Sequence, residues 1–184
     1  MWPWGHAAVG YLLYAASVRR RSGLRPAGGP VVWLAIGTQA PDLVDKPLAW
    51  TAGVLPTGRS LAHALPIVVP LLAVGYLFAR RRGRDEWAFA FSLGYLAHVL
   101  ADALPSLVWG DPAYARFLLW PLLTLPPYDE SKSFLAHLTS IEPTGYLAVQ
   151  FALTAIAAAV WWRDGRPGLD VLAAAWRRLG PAGS

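Results

Sequence analysis

Every long apolar run in this 184-residue chain is bordered by arginine. Gly5 to Val18 ends on Arg19, Arg20 and Arg21, and Leu61 to Ala79 ends on Arg80, Arg81, Arg82 and Arg84. Trp87 to Trp109 starts just after that second cluster, and Thr144 to Trp162 runs into Arg163 and Arg166. Apolar stretches of about twenty residues suit helices that cross a bilayer. Arginine clusters at their ends mark the side that stays in the cytoplasm. This pattern predicts an all-α fold, a polytopic membrane bundle of about four to five transmembrane or partly embedded helices, in one domain covering 1–184.

Composition agrees. The chain is 55% hydrophobic and 15% charged, against roughly 25% charged in soluble domains. Ten tryptophans suit the membrane–water boundary. The net charge of +5 sits beside apolar runs and is read as topology, so no nucleic-acid partner is expected. There is no cysteine, which excludes disulfides and thiolate metal sites. Basic residues follow the first run instead of preceding it, so it is expected to remain as a span and not to be removed as a signal peptide.

Val31 to Ala40 is too short to span alone and leads into "PDLVD". Pro66 and Pro70 are expected to kink the helix that contains them. The Pro-rich stretch 110–143 reads as a long loop with an interfacial helix around Phe117 to Leu125. The span 144–162 precedes a tail, 163–184, that reads as a short amphipathic surface helix. The N-terminus, the loop from Asp42 to Ser60 and the loop 110–143 then face outward.

The arginine clusters also serve as a ruler. At 1.5 Å per helical residue, His6 lies ~20 Å from Arg19, and His63 lies ~25 Å from Arg80. By the same rise, His98 and Asp102 lie ~21 and ~27 Å from Arg84. These groups fall in one layer toward the outer leaflet, with Asp42 at a similar level. His98 and Asp102 are four residues apart and share a helix face. Together the donors are nitrogen and oxygen without sulfur, a set that suits Zn²⁺, Mn²⁺ or Fe²⁺. Ionisable groups inside a membrane usually face a cavity and have partners.

Each residue also has a plain structural reading. His6 fits an ordinary interfacial histidine, and His98 with Asp102 fits a hydrogen bond locking two helices. Asp42 fits a cap after Pro41, and Asp45 fits a pair with Lys46 or solvent. Arg59 and Ser60 fit the anchoring and capping of the helix that begins at Leu61. Yet Arg59 lies where the arginine rule expects none, and beside His63 it suits an anion such as phosphate. His137 reads as interfacial packing or an extra ligand, and Asp129 and Glu142 as solvent-facing.

Four blocks carry a resemblance: "HAAVG" at 6–10, "GTQAPDLVD" at 37–45, "RSLAH" at 59–63 and "GYLAHVLAD" at 94–102, with "WPL" at 120–122. In order and spacing they resemble the YdjM-like inner-membrane proteins described as metal-dependent hydrolases, over roughly residues 1–122. The third block departs from the family pattern, carrying Ser60 and Ala62 where Gly and Thr are usual. The resemblance implies His6, Asp42, His63, His98 and Asp102 as the metal ligands. A more distant similarity is to zinc-dependent phospholipase C, without the second His-and-Glu cluster of that enzyme.

The expected function is a multi-pass hydrolase of the inner membrane, holding one or two divalent ions, zinc being the leading choice. Asp42, Asp45 or Asp102 is the expected general base, and Arg59 and Ser60 the expected substrate contacts. The expected substrate is a phosphoester or phospholipid-like molecule of the surrounding bilayer, met on the extracytoplasmic side. The competing expectations are a noncatalytic helical membrane protein held together by a metal or polar cluster, and an ion pathway.

Overall fold

The computed structural model describes residues 1–127, 133, 136, 139, 141 and 144–179. His137, Asp129 and Glu142 lie outside the described residues. Regular structure among the described residues is entirely helical. In order come α1 (Pro3–Ser22), α2 (Gly28–Lys46), α3 (Leu65–Arg80), α4 (Asp85–Val108), α5 (Gly145–Arg163) and α6 (Leu169–Leu179). A π turn covers Pro47–Thr51, and 3-10 segments cover Leu61–His63 and Pro112–Leu119.

The start and stop residues explain most boundaries. Pro3 opens α1, and Gly23 closes it at φ 70, donating its N–H to Arg19 O. This is a left-handed C-cap that glycine adopts at no steric cost. Thr144 caps α5, its side chain accepting from Leu147 N.

Three expectations change. The short piece at Val31 to Ala40 is part of a helix of 19 residues, with Pro41 inside it. Burial against α4 carries the chain past a residue that usually ends a helix. The third helix starts at Leu65, so Pro66 occupies its first turn, where a missing N–H costs nothing and no bend is needed. The loop helix lies at Pro112–Leu119, earlier than expected, and buries Ala115 and Phe117 in the core.

Helix α4 is the hub, packing against α1, α2, α3 and the 112–119 segment. Two apolar clusters flank it. One gathers Val68, Tyr95, Val99 and Phe117; the other gathers Tyr11, Tyr14, Val31, Leu34 and Ala90. Helix α5 docks on α1 through polar ties near both ends. Gln150 Oε1 accepts from Trp2 N at 2.8 Å, while Asp164 takes Arg19 at 2.5 Å and the Tyr11 hydroxyl at 2.7 Å.

Two of the described helices are long and apolar enough to cross a membrane, Asp85–Val108 and Gly145–Arg163. Only 17% of the apolar window of α5 is buried by protein. Val149, Phe151 and Ile156 face outward from it, as Leu71, Val74, Leu77 and Phe78 do from the shorter α3. Apolar surface of this extent is stable when lipid covers it.

A seam of small residues lets α2 and α4 approach closely. A Cβ on Gly37 would fall 2.3 Å from Phe91 O, and one on Gly94 2.6 Å from Leu34 O. Small residues permit such backbone contact between membrane helices. Gly37→Val is therefore expected to push the helices apart, at a cost of about 1–3 kcal/mol or more by overpacking. Thermal unfolding in detergent would register it, and bound metal would fall with it, because this crossing sets the geometry of the site.

Candidate metal centre

Two imidazoles face one another where α2, α4 and the Leu61–His63 turn meet. His63 and His98 are both fully buried, and their Nε2 atoms are 3.3 Å apart. Each ring is held from behind. His63 Nδ1 lies 2.8 Å from Asp45 Oδ2, and His98 Nδ1 lies 2.7 Å from the carbonyl oxygen of Thr38. A carboxylate and a carbonyl only accept, so each Nδ1 carries the proton and each Nε2 lone pair turns inward. Two lone pairs at this separation repel unless a cation lies between them. Anchoring of the remote ring nitrogen is the arrangement typical of metal-ligating histidines.

Two carboxylates complete the set. Asp42 Oδ1 is 3.6 Å from His98 Nε2 and 3.8 Å from His63 Nε2; Asp102 Oδ2 is 3.9 Å from His63 Nε2. Donor atoms of Asp42, His63, His98 and Asp102 all lie within 4.8 Å of one another, and all four residues are buried. A tetrahedral centre with bonds of about 2.0–2.1 Å separates its ligand atoms by about 3.4 Å. The observed spacings need little adjustment to reach that geometry. Asp42 Oδ2 is taken by Lys46 at 2.6 Å, one helical turn on. Its Oδ1 is buried without a hydrogen-bond partner. A buried, unpartnered carboxylate oxygen is costly in a protein interior, and a cation among these four residues would remove that cost. A buried group able to hold a metal ion is thus present.

Asp45 lies one layer further out. It is fully buried, and its oxygens accept from Ser60 N, Ala62 N and His63 Nδ1, each at 2.8 Å. Expected as a pair for Lys46 or as a base, it instead fastens the 60–63 turn and aims His63. Tyr95 ties the same turn to α4, donating its hydroxyl to Ala62 O at 2.7 Å. Phe117 closes the outer side, its ring edge-on to His63 at 5.8 Å.

His6 stands beside the four-residue set. Its ring stacks on His98 with centroids 3.6 Å apart, and its Nε2 is 3.3 Å from Asp102 Oδ1. Neither ring nitrogen makes a hydrogen bond. Asp102 is crowded from other sides too: Arg59 Nε donates to Oδ2 at 2.8 Å, and the Met1 amino group lies 2.5 Å from Oδ1. Asp102 and His98 do not bond each other; each has partners from other segments. Arg59, expected to grip an anion, thus already engages a site carboxylate while its side chain stays 32% exposed. Ser60, expected at the substrate, is fully buried, with its hydroxyl donating to Thr57 O and its N–H to Asp45.

The structure therefore brings together His6, Asp42, His63, His98 and Asp102, with Arg59 at the edge and Asp45 and Ser60 behind. Sequence reasoning missed the Thr38 carbonyl, which no side chain announces. It also missed the pairing of Lys46 with Asp42, which their four-residue spacing could have revealed.

The model of the YdjM inner membrane protein family matches residues 1–177. This reaches past the blocks at 1–122, through α5 and into α6. No curated protein and no solved structure gives a match. A family match over nearly the whole length, on a chain whose helices turn bare apolar faces outward, settles its relationship: the chain belongs to the YdjM inner membrane protein family.

Proposed function

We propose that this chain is a membrane-embedded metal-dependent hydrolase acting on a phosphoester or lipid-like substrate. The observation that carries the reading is the inward-facing pair of Nε2 atoms on His63 and His98, 3.3 Å apart, beside the unpartnered Asp42 Oδ1. His63, His98, Asp42 and Asp102 would hold the ion, and zinc suits this set of nitrogen and oxygen donors. Such an ion supplies Lewis acidity toward a phosphoryl or acyl oxygen and acidifies water. Asp45 and the Thr38 carbonyl keep both imidazoles in the tautomer that carries its proton on Nδ1 and turns an Nε2 lone pair toward the ion site. His6, with Asp102 Oδ1 alongside, offers donors for a second ion. Arg59 is the partly exposed cation at the edge of the site, placed to meet substrate charge. Asp42, whose Oδ1 has no hydrogen-bond partner, is the carboxylate placed to accept a proton, whereas both oxygens of Asp45 and of Asp102 already accept hydrogen bonds. The arginine pattern supports a multi-pass topology with basic loops in the cytoplasm. The site then lies toward the extracytoplasmic leaflet, with the partly exposed Arg59 as its edge toward lipid headgroups.

A structural metal is the second reading. Four converging protein donors match the closed coordination of structural zinc. Purified protein in nanodiscs, assayed against a panel of phosphoester and carboxylic-ester substrates, separates the two. The hydrolase reading expects turnover that chelation abolishes and added Zn²⁺ or Mn²⁺ restores. It also expects Arg59→Ala to raise KM roughly 10- to 100-fold through loss of a charged hydrogen bond. Full metal content without turnover of any substrate class would favour the structural reading. Protein that holds no metal after reconstitution would end both.

A further inference from the structure

A second site lies at the arginine end of α4, ~21 Å along the helix from His98 by the residue count from Arg84. It is a groove of about 270 Å³ between α3 and α4, lined also by Trp33 of α2. Its wall is aromatic: the Trp33 ring lies 6.4 Å from Trp87 and 6.2 Å from Phe91. Its opposite side is α3, where Leu71 and Gly75 line it. A Cβ on Gly75 would meet nothing within 4 Å, so glycine leaves here a space that a side chain could occupy. The packing of this helix therefore does not demand a glycine, and a larger side chain at this position has room beside the groove.

Its mouth carries strong positive charge. Arg84 lines the groove and stacks on Trp87 at 5.2 Å. Arg80, Arg81 and Arg82 are next to it in the chain, and Arg82 stacks on Phe78 at 4.1 Å. Among the described residues none of these four arginines has a carboxylate within 4.0 Å, although Asp85 and Glu86 follow directly. Arginines clustered where an apolar helix meets the interface attract anionic lipid, and the apolar groove leading away from them fits an acyl chain.

We propose that this groove binds one anionic phospholipid, its phosphate among the arginines at 80–84 and one acyl chain lying between Gly75 of α3 and the aromatic wall of Trp33, Trp87 and Phe91. Shape and charge act at opposite ends of the same ligand. The site shares no residue with the metal centre and does not depend on the hydrolase reading.

The test is native mass spectrometry of the full-length protein with an equimolar mixture of phosphatidylglycerol and phosphatidylcholine. Wild-type protein is expected to retain phosphatidylglycerol over phosphatidylcholine by roughly five-fold or more, the effect of about one well-placed arginine. Gly75→Leu, which fills the groove, is expected to retain neither lipid while keeping its metal content. Gly75→Ala, a milder filling, gives intermediate retention. Arg84→Gln is expected to keep a lipid but lose the preference. Equal retention of both lipids by wild type would overturn the proposal. So would undiminished phosphatidylglycerol in Gly75→Leu, which would reduce the effect to surface charge alone.

Discussion

Protein purified with His98→Ala or His63→Ala is expected to carry almost no metal, where wild type carries it near stoichiometrically. Altering a residue that merely orients a ligand typically weakens metal binding by about 10- to 100-fold, and removing the ligand itself should exceed that range. The two variants should also behave alike, because their Nε2 atoms face the same point from 3.3 Å apart. Elemental analysis after reconstitution checks the result, and a metal-induced rise in unfolding temperature offers an independent readout. In wild type, an ion bound only to the folded state stabilises it by mass action. In the variants that rise should vanish. A His98→Ala protein with undiminished metal would remove this centre from consideration.

Asp45→Asn is expected to do comparable harm without touching a ligand atom. The wild-type carboxylate accepts two backbone N–H groups and His63 Nδ1. An amide of the same shape must turn its NH₂ toward one of those donors. That leaves a buried group unsatisfied, at about 1–3 kcal/mol. Loss of the anion also releases the His63 tautomer, which should lower metal affinity by about 10- to 100-fold. Stability of the metal-free protein and metal affinity are both expected to fall, measurable by denaturation with and without chelator. Asp45→Glu, which keeps the charge but lengthens the arm, should restore part of the affinity. Metal affinity equal to wild type in Asp45→Asn would remove the orienting role assigned to this residue.

The site was legible in the sequence to the extent that it depends on depth and helix face. Counting from the arginine clusters placed His6, His63, His98 and Asp102 in one layer, and the four-residue spacing put His98 and Asp102 on one face. The structure gathers those residues with Asp42. The family blocks pointed to the same group. What was not legible depends on which way each group turns. Asp45 could have faced Lys46, but the 60–63 turn brings backbone N–H groups to it from a segment whose path no periodicity encodes. Helix α2 looked short because Pro41 suggests a stop, yet burial against α4 sustains it to Lys46. The all-helical class followed from the apolar runs, whereas the start of α3 depended on where Pro66 could sit without loss.

The contact between His98 and the Thr38 carbonyl has a consequence for mutagenesis. The atom that steers this imidazole belongs to the main chain, so every amino acid placed at position 38 still presents it. Larger residues would collide at this fully buried position, where Thr38 Cγ2 packs against Gly10 and Gly94, and a survey limited to smaller side chains would miss the carbonyl. Its influence surfaces only when the two helices are forced to change their spacing, through glycines that never touch the ion.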